Sequence, residues 1–192
     1  MLQTLRSHAA FWLLLALPGL VSLYRYGSAD MLAMDMLHPT GEWSARLLIV
    51  ALAVTPLMTI TRGAGWVRWL ARRRRHIGVA AFLYAALHLG FYLVDMGSVA
   101  AILGEALLPG IWTGWVAVFA MALMAATSND ASVRLLKAGW KRLQRLAYPA
   151  ALLTLAHWLI VHDGFTSALL HAAPLIVLQA WRLLNSRKAL HA

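Results

Sequence analysis

The chain has 192 residues, 61% hydrophobic and only 12% charged, with a mean hydropathy of +0.68. Soluble domains run at roughly 45–50% apolar and about 25% charged, and one core of this size cannot absorb the excess, so a soluble globular domain and a disordered basic tail are both excluded. The net charge of +10 is carried by residues that alternate with long apolar runs, which points to membrane topology and not to nucleic acid, and the absence of cysteine removes disulfides, thiolate metal sites and iron–sulfur clusters.

Apolar stretches of membrane length fall at roughly 9–24, 43–61, 76–95, 111–127, 146–163 and 165–184. They predict an all-α membrane protein, a six-helix transmembrane bundle forming one domain over residues 1–192. The first stretch carries Pro18-Gly19 and the second Thr55-Pro56, kinks that are tolerated where neighbouring helices cover the freed carbonyl. The first is read as a span and not as a signal peptide, because no clean small-residue cleavage site follows it.

Charge orients the bundle. Arg62–Arg75 occupy the second loop with the helix start beyond it, and Arg134, Lys137, Lys141, Arg142 and Arg145 the fourth, while Arg6, Arg182, Arg187 and Lys188 lie toward the termini. The remaining loops are assigned Asp30, Asp35, Glu42, Asp95, Glu105 and Asp163 against Arg25. The positive-inside rule then puts both termini and the basic loops in the cytoplasm. The run Arg72–Arg75 reads as an anchor on anionic lipid.

Ionisable residues within spans are costly and default to functional candidates. His8, His38 and His191 fall outside the spans, and His162 and His171 near the outer ends. His88 and His157 fall inside the third and fifth, which run in the same direction. Counted from His76 and Arg145, each lies ~18 Å from the inner helix end, and counted to Asp95 and Asp163, ~10 Å from the outer end. Their surroundings, AALHLGFYLVDMG and LLTLAHWLIVHDG, echo one another, with small residues beside each imidazole and aromatic ones nearby. That composition suits a planar cofactor between parallel helices, with an imidazole on each face of an iron. Three alternatives stand beside haem. Each histidine is structural glue between helices; or the pair binds zinc or copper with Met121 or Met124 as a third ligand; or it lines a proton or solute pathway, which would call for an intramembrane carboxylate.

An ordered set of landmarks resembles the MsrQ family, haem-binding membrane subunits of methionine sulfoxide reductase systems within the ferric-reductase-like transmembrane superfamily. The landmarks begin with His38-Pro39-Thr40-Gly41, Val54-Thr55-Pro56, Arg74-Arg75, Gly78 and Leu87-His88-Leu89. They continue through Thr127-Ser128, Arg134, Leu136, Trp140, Leu143 and Tyr148 to His157-Trp158, covering about residues 38–163. The resemblance implies that His88 and His157 are axial ligands of a b-type haem. It also implies electron passage from a cytoplasmic reductant or quinol to a periplasmic molybdoenzyme that reduces methionine sulfoxide. After Trp140-Lys141-Arg142-Leu143 the family usually has histidine, a candidate contact to a second haem, and here stands Gln144.

One outer haem leaves ~18 Å of helix to the cytoplasmic face, so a second carrier is expected on the inner side: quinone, FMN or a second haem. His76 is read either as a substitute inner ligand or as a headgroup residue. The basic face of Arg73, Arg74, Arg75, Lys141, Arg142 and Arg145 is read as a flavin-phosphate site, as a dock for a cytoplasmic flavin reductase, or as a headgroup anchor. His38 is read either as a cap of the second helix or as a residue bordering the haem from outside, and Thr40 as an alternative cap. No nucleotide-binding fingerprint is present, so electrons must come from a separate donor. The competing functions are a self-sufficient reductase of ferric iron or another external acceptor, and a small non-redox transporter or assembly factor.

Overall fold

A computed structural model describes residues 8–28, 31–161 and 165–188, with side chains as far as Leu184. Arg6, Asp30, His162, Asp163 and His191, and the side chains of Arg187 and Lys188, lie outside the described residues. The described residues form α1 (His8–Gly27), α2 (Ala33–Ile60), α3 (Gly65–Met96), α4 (Val99–Glu105), α5 (Pro109–Ala126), α6 (Asp130–Leu136), α7 (Ala138–Gln144), α8 (Ala147–Val161) and α9 (Phe165–Lys188), and no strand.

Five of these, α1, α2, α3, α5 and α9, are long and apolar enough to cross a membrane. The protein is a multi-pass membrane protein. The sixth expected span is represented by α8, whose 15 residues rise about 22 Å, short of a full hydrocarbon core.

Two expected boundaries are corrected. The second span begins at Ala33 and not near residue 43, and the third begins at Gly65 and not at His76. Hydropathy stops at charged residues, but a helix continues through them wherever its backbone bonds are kept. So His38, Thr40 and Glu42 are helical. Neither His38 nor Thr40 caps α2: Leu32 N–H donates to Asp35 Oδ2 at 2.8 Å at the true start, and Thr40 Oγ1 donates back into the helix.

The Arg72–Arg75 run also proves divided. Arg73 is buried, its guanidinium 4.3 Å from the Trp69 ring and 5.4 Å from that of Phe11. Arg74 donates to Thr55 Oγ1 at 3.1 Å, and Arg75 to Asp130 Oδ1 at 2.6 Å. Three of the four arginines thus have different partners, in the core, on α2 and at Asp130.

Two antiparallel helix pairs organise the bundle. α2 and α3 form the most extensive pair, joined by a tight turn in which Arg62 and Gly63 take left-handed backbone. α5 and α8 form the second, and α9 returns along α2, where Gln179 donates to Leu52 O at 3.3 Å. Lipid supplies no hydrophobic drive between helices, so close packing of small residues replaces it. On α5 this is Gly110-x-x-x-Gly114: a Cβ added at Gly110 would lie 2.7 Å from Val161 Cγ2 of α8. The core lies among α2, α3, α5 and α8, around Leu48, Leu52, Ile77, Ala81, Met121 and Met124.

α1 is attached by an inserted hydroxyl. Pro18 and its surroundings open the helix, and Tyr84 Oη enters the gap, accepting from Gly19 N–H and donating to Leu15 O, both at 2.8 Å. One side chain of α3 thus completes the backbone ladder of another helix.

Candidate functional site

His88 on α3 and His157 on α8 come together at the centre of the four-helix core. Their ring centroids are 5.9 Å apart and their planes nearly perpendicular. Both project into one cavity between the two helix pairs, lined also by Ala85, Tyr92, Gly114, Met121, Thr154 and Trp158.

Each ring is fixed in the same way by the partner helix of its pair. His88 Nδ1 donates to Leu37 O of α2 at 2.9 Å, and His157 Nδ1 donates to Gly110 O of α5 at 2.7 Å. A carbonyl only accepts, so Nδ1 donates in both rings and Nε2 is the nitrogen left to face a metal, the arrangement that second-sphere bonds give to metal-binding imidazoles. Glycine makes room for both rings. A Cβ at Gly41 would lie 3.1 Å from His88 Nδ1, and one at Gly114 2.8 Å from His157 Nδ1. The echo visible around the histidines therefore extends to their partner helices, as Thr40-Gly41 and Thr113-Gly114.

A polar cluster borders this cavity that charge counting did not find. Glu42, assigned from the sequence to an outer loop, lies within α2 and accepts from Arg46 Nη2 at 2.7 Å. Arg46 Nε donates to His171 Nε2 at 3.1 Å, and its guanidinium lies over the Trp43 ring at 5.3 Å. His171 Nε2 accepts from Arg46, its Nδ1 donates to Ser167 O, and Nε2 also lies 3.5 Å from Glu42 Oε1. His171, Trp158 and His38 then follow in ring contact along the cavity's edge. The signal was present in the spacing of Glu42 and Arg46, an i,i+4 pair inside an apolar stretch.

A second, larger cavity opens at the basic end, with 1250 Å³ of space between atoms against 840 Å³ for the first, mouths included. Arg74, Arg75, Lys141, Gln144, Arg145 and Tyr148 line it. Gln144 Nε2 donates to Met124 O at 3.1 Å and reaches Thr127 Oγ1 at 3.4 Å. Opposite Arg75, the exposed Asp130 carboxyl is held below its ordinary range by that guanidinium's hydrogen bond and charge. His76 does not line this cavity. It turns toward α1, 5.1 Å from the His8 ring and 5.6 Å from that of Trp12, and its Nδ1 is buried without a hydrogen-bond partner among the described residues.

This pattern, paired imidazoles between helix hairpins above a basic opening, is that of a ferric-reductase-like membrane domain, and the family described as "Ferric reductase like transmembrane component" matches residues 40–155. Within that class the chain belongs to the MsrQ family. It is 36% identical over 165 residues to the "Protein-methionine-sulfoxide reductase heme-binding subunit MsrQ" of Xanthomonas euvesicatoria pv. vesicatoria, covering 82% of this chain and 74% of the relative. It is 38% identical over 159 residues to the protein of that name from Xanthomonas axonopodis pv. citri, covering 81% and 71%. With that from Polaromonas naphthalenivorans it shares 37% identity over 157 residues, covering 78% and 70%. No solved structure matches.

Proposed function

We propose that the chain is a b-type haem electron-transfer subunit of the bacterial inner membrane, with His88 and His157 as the axial iron ligands. The observation that carries this is the ring pair itself. Metal–imidazole bonds are about 2.0–2.1 Å, so two rings on opposite faces of one metal ion have centroids about 6.4 Å apart, and these stand at 5.9 Å, within about half an ångström of that spacing. Haem, when bound, supplies a one-electron carrier whose potential follows burial and hydrogen bonding. Leu37 O and Gly110 O hold the rings in the binding tautomer, and the apolar walls from Ala85 to Trp158 keep water out.

In this reading the basic end is cytoplasmic. Arg74, Arg75, Lys141 and Arg145 attract an anionic carrier (FMN, or the headgroup side of a quinol) or an acidic flavin reductase. Gln144 replaces the imidazole that a second iron would need, which favours one haem per chain and an organic carrier below it. His76, turned toward α1, takes no part in that cavity. On the outer side the partner is a periplasmic molybdoenzyme that reduces methionine sulfoxide; the relatives' name, which specifies a protein-methionine-sulfoxide reductase, supports this. The ferric-reductase match supports one alternative: reduction of some other external acceptor.

The test is an absorption spectrum of the purified chain and of H88A and H157A. The wild type is expected to show a low-spin six-coordinate haem, and each variant to lose most of it or turn high-spin. Wild-type Soret and α bands in both variants would overturn the assignment.

A further inference from the structure

The two halves of the haem site are built alike but are not equivalent. In each, a threonine hydroxyl reaches back to the carbonyl that holds the histidine. Thr113 Oγ1 lies 2.7 Å from Gly110 O and 3.0 Å from Pro109 O. Thr40 Oγ1 leans the other way, 2.6 Å from Met36 O and 3.2 Å from Leu37 O. A hydroxyl has one proton to donate, and the shorter contact takes it. Gly110 O therefore receives both the Thr113 proton and His157 Nδ1–H, whereas Leu37 O receives His88 with little from Thr40. Thr113 is 5% exposed and Thr40 fully buried, so water does not supply the difference.

We propose that Thr113 is a positioning residue that sets the electron-donating strength of His157 by sharing its carbonyl, and with it the reduction potential of the site. The inference rests on His157 being an iron ligand. A carbonyl already accepting a hydroxyl proton is a weaker acceptor for a second donor, so it draws less on the imidazole N–H. With the hydroxyl removed, Gly110 O pulls harder on Nδ1–H and the ring becomes more basic. A more basic ligand favours the oxidised iron. Without its hydroxyl at position 113 the site is harder to reduce, and the corresponding change at Thr40 has less effect.

Valine keeps the shape of threonine without its proton, and serine keeps the proton. The experiment is a redox titration of the haem bands in the purified wild type, T113V, T113S and T40V. T113V is expected to retain a low-spin spectrum but to show up to about a tenfold lower ratio of reduced to oxidised haem at fixed ambient potential, which is 59 mV for a one-electron couple. T113S should titrate with the wild type, and T40V should shift less than T113V. The proposal is overturned if T113V titrates with the wild type, if T113S shifts as T113V does, or if T40V shifts as far. Should T113V load no haem, T113A carries the same test; failure to load in both with loading in T113S assigns the hydroxyl to haem retention and overturns the tuning role. A wild-type spectrum in H157A is a separate result and removes the ligand assignment itself.

Discussion

Of the two glycines that face the imidazoles, Gly114 is the tighter. A methyl there would stand 2.8 Å from His157 Nδ1, inside the closest approach that real Cβ atoms show, and the ring would have to leave its 2.7 Å bond to Gly110 O. G114A is therefore expected to weaken haem retention roughly 10–100-fold, the usual cost of losing a second-sphere partner. G41A, whose methyl would stand 3.1 Å from His88 Nδ1, should cost less. Haem titration into the apo-proteins orders the two; equal retention in both variants and the wild type would refute the argument. His88 and His157 were legible in the sequence, because rise per residue fixes depth along a helix. Their glycine and threonine partners were not, since nothing in a linear spacing says which neighbouring helix a ring will touch. Glu42 was misplaced for another reason: Arg46 neutralises it inside the span, and a reading by single charges sees a boundary residue.

Among the helices, α1 depends on a bond that it does not itself own. Tyr84 Oη stands between Gly19 N–H and Leu15 O, so phenylalanine at position 84 leaves both backbone groups short of a partner in an apolar setting. Y84F is expected to lower stability by about 1–3 kcal/mol, read as reduced thermal stability in detergent and as faster hydrogen exchange at the α1 kink. Unchanged exchange at Gly19 would show that the helix closes the gap alone. Five long helices were legible as apolar runs, and their order was right. The extensions of α2 and α3 were not, because their added turns carry Asp35, Glu42 and the arginine run, residues that hydropathy counts as loop. Nor were the short helices α4, α6 and α7, which are too brief for a period to declare itself. α4 and α6 do begin on capping side chains, Ser98 and Asn129.

Across the whole molecule, charge divides the two ends: Arg75, Lys141 and Arg145 at one, Asp95 and Glu105 at the other. A membrane-impermeant reductant is accordingly expected to reduce the haem from the basic side of sealed, oriented vesicles, and an external acceptor to re-oxidise it from the other. Donor docking should weaken as ionic strength rises, since exposed charges more than about 8 Å apart are screened at physiological salt. Reduction only from the acidic side would reverse the proposed direction. The two cavities meet at one buried side chain: among the described residues, Met121 alone lines both. The Met121 side chain where they meet is no obstacle to an electron, which needs no solvation to pass it. It is a severe barrier for a proton or a metal cation, because an unpaired charge in apolar surroundings costs many kcal/mol. Current through this contact is therefore carried by electrons and not by ions.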